Sequence, residues 1–305
     1  MKSPSSKCPS IQAFAALLLV AGHAIAGTPI SETRAVNPDA RIDVSNIKGS
    51  VTVSGWDKPE VAMSGTLGDG AKAIAVEGGS DHLTIKVQPP DKQGWFSWSA
   101  DMRMGDSVLE IKVPKSAEMK IEVVSADVNL SGVAGRSLKV DGVSGKQHLD
   151  SGAKEVELGS VSGNVDLVGS STRTHVETVS GNIRARGLNG QIKLETVSGD
   201  IDAENSGYRD ISVGTVSGDI TLRGKPDSGV RVDVETMSGD VHLFLPGDAS
   251  ARLRASSFSG SIGSDFGSVK EPEHGPGSSL ETTNGSGEGQ VKIETFSGDI
   301  EIRKP

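Results

Sequence analysis

The sequence predicts an all-β protein: a single-chain parallel β-solenoid, a right-handed β-helix, with an irregular N-terminal cap. Three observations predict it. A Ser-Gly pair, in most copies followed by Asp or Asn, recurs at Ser144, Ser162, Ser180, Ser198, Ser217, Ser238, Ser259 and Ser297, mostly 18 to 21 residues apart, with a last step of 38 that spans two units or one with an insertion. A unit that short cannot fold alone and points to stacked coils. Apolar residues alternate with polar ones inside each unit, which is the period of a strand. The right-handed sense follows from the general rule for parallel crossovers.

Taken in chain order, the first segment is a leader. Lys2 and Lys7 precede the apolar run Ile11 to Val20, and Ala24-Ile25-Ala26 follows. Such a pattern reads as a secretory signal peptide over residues 1–26, too short and too polar for a membrane span. The mature chain is then exported, to the periplasm, the cell surface or the medium, with no integral membrane segment left after cleavage. Its only cysteine, Cys8, lies within the leader, so neither a disulfide nor a lipidated cysteine is expected. Removing Lys2 and Lys7 from 31 basic residues leaves 29 against 40 acidic ones, a net charge of −11. That balance argues against nucleic acid as a partner and is accounted for by solubility.

Residues 27–118 read as the cap and first irregular coils, with strands near Ile42 to Val44, Val51 to Val53, Val61 to Met63, His82 to Val87 and Val108 to Val113. A loop from Pro89 to Ser107 interrupts them and concentrates Trp95, Phe96 and Trp98 with Met102 and Met104. Exposed, those aromatics would form a surface for an envelope glycan or protein; folded back, they would cover the open end of the solenoid. Trp95, Phe96 and Trp98 are the candidate partner-binding residues.

Residues 119–305 carry the regular repeat, continuous with the preceding region as one domain. In Ile192-Lys193-Leu194-Glu195-Thr196-Val197-Ser198-Gly199-Asp200-Ile201-Asp202-Ala203, residues 192 and 194 point one way and the parity then flips, which marks a corner between two strands. On this reading Val197, Ile201 and Ala203 face inward. Stacking then makes two interior columns: Val161, Val179, Val197, Val216, Met237, Phe258 and Phe296, and Val165, Ile183, Ile201, Ile220, Val241, Ile262 and Ile300. The glycine supplies a close backbone approach, and Ser and Asp or Asn satisfy the corner's polar groups. Gly263 to Ser279 reads as a flexible excursion, and Arg303-Lys304-Pro305 as a block to further pairing at the end of the stack.

The search for chemistry returns columns in place of a converging site. Glu177, Glu195, Glu235 and Glu294 share one outward position; Asp200, Asp219, Asp240 and Asp299, continued by Asn164 and Asn182, share another. Stacked carboxylates invite a divalent cation, but the Glu column is interrupted, turn formation explains the Asp residues, and the nonapeptide of calcium-binding β-rolls is missing. His82, His148, His175, His242 and His274 have no metal-ligand spacing. No cofactor and no metal site is assigned, and no catalytic residue; a carbohydrate-active β-helix enzyme, hydrolase or lyase, or a calcium-binding repeat protein, stands as the alternative. The chain is expected to be a monomer.

The array Glu177-Thr178-Val179-Ser180-Gly181-Asn182-Ile183, Glu195-Thr196-Val197-Ser198-Gly199-Asp200-Ile201 and Glu294-Thr295-Phe296-Ser297-Gly298-Asp299-Ile300 resembles the bacterial "putative adhesin" family, a domain-of-unknown-function group with Val-Ser-Gly-Asp type β-strand repeats. Gly49-Ser50-Val51-Thr52-Val53-Ser54-Gly55-Trp56-Asp57 is similar to that family's opening segment. The resemblance covers nearly the whole mature chain. It implies an exported, non-enzymatic, adhesin-like binding or scaffold protein of the cell envelope, and it carries over no catalytic or ligand-binding residue.

Overall fold

Alternation of apolar and polar residues produces strands throughout the computed structural model, which describes residues 27–89, 104–271 and 276–305; no helix occurs among them. The repeat begins in full at β7 (Glu118–Val133), which bends at Ser125-Ala126 so that its two halves belong to two walls of one coil. Each later coil supplies one strand to each wall. The pairs are β8 (Ser137–Ser144) with β9 (Gln147–Ser151), β10 (Glu155–Ser160) with β11 (Val165–Gly169), and β12 (Arg173–Thr178) with β13 (Ile183–Arg186). Then β14 (Gly190–Ser198), β15 (Ile201–Ser217) and β16 (Ile220–Ser238) continue the walls, and β17 (Val241–Phe244) completes a coil.

Pairing between coils is parallel and in register. Val156 opposes Thr174, Thr174 opposes Ile192, and Ile183 opposes Ile201. Register in a parallel stack is fixed wherever one face is buried, because a one-residue slip would turn every inward side chain outward. The column Val165, Ile183, Ile201, Ile220, Val241, Ile300 and Ile262 is buried as expected, in that spatial order.

The order differs from the chain order at both ends. At the C-terminal end β18 (Ala251–Ser257) and β19 (Ile262–Ser264) leave a gap of one coil. That gap is filled by β21 (Gly289–Ser297) and β22 (Ile300–Arg303), after the chain has passed through β20 (Ser278–Asn284), antiparallel to β18. The expected terminal block at Arg303-Lys304-Pro305 is therefore corrected: β22 is paired on both sides, by β17 and β19. The outer position belongs to β20, whose antiparallel direction ends the parallel repeat. The 38-residue step is an out-of-order coil plus this hairpin.

The N-terminal end repeats the device. β1 (Thr28–Ala35), β2 (Arg41–Trp56), β3 (Glu60–Leu67), β4 (Ala73–Gly78), β5 (His82–Gln88) and β6 (Ser107–Pro114) contain every strand expected there. β2 is a bent coil, held between β7 on one side and β5 with β6 on the other. The antiparallel strands β1, β3 and β4 close this end. The excursion after Ile262 is docked in its described part, with Phe266 packed against the core and the Asp265 carboxylate accepting the Lys304 N–H at 3.0 Å.

Candidate functional site

The corner of the coil determines which side chains reach solvent. Inward parity continues one residue further than expected, through Ile192, Leu194 and Thr196, and the turn falls on Ser198-Gly199. The threonines Thr178, Thr196, Thr215, Thr236 and Thr295 are thus buried. Thr196 Oγ1 donates to the Gly181 carbonyl of the preceding coil at 3.3 Å, so a hydroxyl serves a corner carbonyl that an aliphatic side chain would leave unsatisfied.

Val197 and its equivalents accordingly point outward, which corrects the second expected interior column. In spatial order the positions are Val124, Val143, Val161, Val179, Val197, Val216, Met237, Phe296 and Phe258, and each is between 45% and 60% exposed. At one residue per rung, with rungs about 4.8 Å apart, the line is about 38 Å long. Ile47 of β2 continues it, partly buried. Phe258 and Phe296, in successive repeats, are neighbours because β18 pairs with β21; their rings stack with centroids 4.9 Å apart.

Backbone bonds hold this ridge straight. The N–H groups of Ser162, Ser180, Ser198 and Ser259 donate to the carbonyls of Val143, Val161, Val179 and Phe296 at 2.8 to 2.9 Å. The Val, Met and Phe side chains are left facing water, with the exposed serines beside them. Beneath the ridge the glycine column sets the spacing: a methyl carbon on Gly199 would press into the Gly181 carbonyl and lie 2.8 Å from its carbon, and the same holds at Gly181 against Gly163. A continuous strip of exposed apolar side chains is the kind of surface feature that marks an interaction site.

Both expected carboxylate columns exist, and each has a structural occupation. Asp200 Oδ1 accepts the Asp219 N–H at 3.1 Å, Asp219 the Asp240 N–H at 2.9 Å, and Asp240 the Asp299 N–H at 2.8 Å. Asn164 and Asn182 make the same bond through their amide oxygens. The last member, Asp299, accepts from the backbone and hydroxyl of Ser261, which hold its carboxyl below the ordinary carboxylate range. The Glu column is interleaved with cations: Lys193 contacts Glu195 at 2.8 Å, and Lys292 contacts Glu294 at 2.8 Å and Glu235 at 3.2 Å. Those hydrogen bonds, Glu294 first, push the Lys292 ammonium above its usual value. His82, His148, His175 and His242 each lie against an acidic residue of a neighbouring coil.

Trp95, Phe96 and Trp98 lie outside the described residues. Among the described residues of that region, Lys86 opposes Ser45 and Ser107 opposes Gly49, on either side of the corner of β2. Sequence reasoning found the ridge residues but assigned them inward. The signal it passed over was the run of threonines that extends the inward parity.

Among solved structures, a putative adhesin from Parabacteroides merdae is similar at 8% identity over 91% of this chain and 97% of that one, with a TM-score of 0.48. A putative adhesin from Bacteroides fragilis matches at 16% identity over 90% and 97%, TM-score 0.42. A putative lipid binding protein from Parabacteroides distasonis matches at 12% over 92% and 99%, TM-score 0.43. Comparison with curated proteins gives no match. The Toastrack DUF4097 family model matches residues 40–245 and 211–303, which together span the repeat and most of both ends of the stack, and the chain belongs to that family.

Proposed function

We propose that this chain is an exported, non-enzymatic β-solenoid of right-handed sense that captures a partner in the bacterial envelope along the ridge from Val124 to Phe258. One observation carries the reading: nine apolar side chains stand half-exposed in an unbroken line at the corner of the coils, on a backbone already fixed by inter-coil hydrogen bonds. A preformed apolar edge loses little conformational freedom on binding, which favours affinity. Each Asp of the row gives one oxygen to a backbone N–H of the next coil, and Glu195 and Glu294 pair with lysines, structural roles that account for both columns without an enzyme or a calcium site.

The partner is an envelope protein or glycan, and the leader over residues 1–26 delivers the chain to it. Trp95, Phe96 and Trp98, the aromatic cluster of the sequence, are further candidate contacts for that partner in this reading. The test is photo-crosslinking in cells from probes at Val197 and Phe258, with Glu157 on the outer wall as reference. Discrete adducts from the two ridge positions and none from position 157 support the reading. Adducts in equal yield from all three, or from none, overturn it.

A further inference from the structure

The flank of the ridge narrows the partner's chemistry, an inference that rests on the ridge being the binding surface. Asp200, Asp219, Asp240 and Asp299 run in four consecutive rungs beside Val197, Val216, Met237 and Phe296, three residues further along each coil. Each spends one oxygen on the backbone N–H of the next coil. None of the four makes an ion pair with a lysine, arginine or histidine among the described residues, whereas the Glu column on the other side of the corner is interleaved with lysines. The ridge is therefore bordered by a row of negative charge that the fold itself leaves uncompensated.

Spacing narrows it further. From Val216 through Met237 and Phe296 to Phe258 there are three rungs, about 14 Å. Three turns of an α-helix advance about 16 Å, whereas three same-face repeats of an extended strand advance about 20 Å. A helix laid along the ridge keeps one apolar residue per rung over this stretch, and a strand does not.

We propose that the ridge docks an amphipathic helix of another protein whose apolar stripe is flanked by lysine or arginine, the stripe on Met237, Phe296 and Phe258 and the cations over the Asp row. Complementary charge beside an apolar contact selects the partner and raises the rate of encounter.

The column supplies its own control, since Asn164 and Asn182 make the same inter-coil bond as the aspartates. Asp219→Asn with Asp240→Asn removes two charges and retains the fold. The probe is a labelled amphipathic peptide of about 18 residues, five helical turns, with leucines on one face and lysines beside them, and its isomer with glutamates in place of lysines. Fluorescence anisotropy at low salt is expected to give binding of the lysine peptide about tenfold tighter than of the glutamate isomer, and about tenfold weaker to the Asn variant. Phe258→Ser with Phe296→Ser should abolish it. Equal binding of both peptides, or undiminished binding to the Asn variant, overturns the cationic inference and leaves the ridge as the binding surface. Undiminished binding to the Ser variant overturns both. No binding of the lysine peptide, preference for phosphatidylcholine vesicles, or self-association in sedimentation also overturns the helix inference.

Discussion

Replacing Gly199 by alanine tests the geometry under the ridge. The added methyl carbon would overlap the Gly181 carbonyl oxygen and lie 2.8 Å from its carbon and 3.1 Å from Thr196 Oγ1. The obstacle is backbone of the adjacent coil, so a rotamer change cannot relieve it, and the coils must separate locally. Overpacking of this kind costs about 2 to 3 kcal/mol. The separation also strains two inter-coil bonds at this corner, Gly199 N–H to Ser217 O at 3.2 Å and Asp200 N–H to Asn182 Oδ1 at 3.0 Å, each worth about 1 kcal/mol. The expected loss for Gly199→Ala is thus about 3 to 5 kcal/mol by urea unfolding. Gly214 is the internal reference. A methyl there meets nothing closer than Glu235 O at 3.9 Å, and its φ is not positive, so Gly214→Ala should be neutral or stabilise by about 0.5 kcal/mol. A Gly199→Ala protein within about 1 kcal/mol of wild type would refute the close-approach argument.

Three further outcomes follow from the same coils. Asp219→Ala leaves the Asp240 N–H without its acceptor and should cost about 1 kcal/mol in urea unfolding, whereas Asp219→Asn should fall within about 0.5 kcal/mol of wild type; equal losses would remove the ladder's structural role. Asp299 has a depressed folded pKa, so its contribution is present above the unfolded carboxylate value of about 3.9 and is lost as pH falls through the lower folded value. Below about pH 4 the wild type should therefore lose more of its urea midpoint than Asp299→Asn does, and parallel pH profiles would contradict this. Truncation after Asn284 removes β21 and β22, an internal coil that buries Val291, Ile293, Ile300 and Ile302. Limited proteolysis should then cut within residues 246–284; resistance of that segment would argue that the last coil lies at the end of the stack.

Much of this architecture was legible from the repeat, for a physical reason. The spacing of Ser-Gly pairs is the circumference of a coil, and the column from Val165 to Ile300 follows from strand alternation. The corner was not legible from hydrophobicity, since valine is the more apolar residue in Thr196-Val197 and the structure buries the threonine. What decides is the corner's hydrogen bonding and the parity already set by Ile192 and Leu194. The order of the last coils was hidden as well, because β16 pairs with β21 and not with β18, and consecutive repeats in a sequence carry no mark of which coil is laid down out of turn. The enlargement from valine to Met237, Phe296 and Phe258 at one end of the ridge was visible in the sequence, and it acquires meaning only once those residues face water.

The central claim is that the valine of the repeat faces solvent while the threonine before it is core. Val197→Cys and Thr196→Cys, each in a Cys8→Ser background that leaves no other cysteine, put the two alternatives one residue apart. Maleimide labelling of the folded protein should proceed at position 197 at nearly the rate seen in urea, and at position 196 only through unfolding. Protection at 197 with reactivity at 196 would return the ridge to the interior and remove the surface on which the proposed function rests.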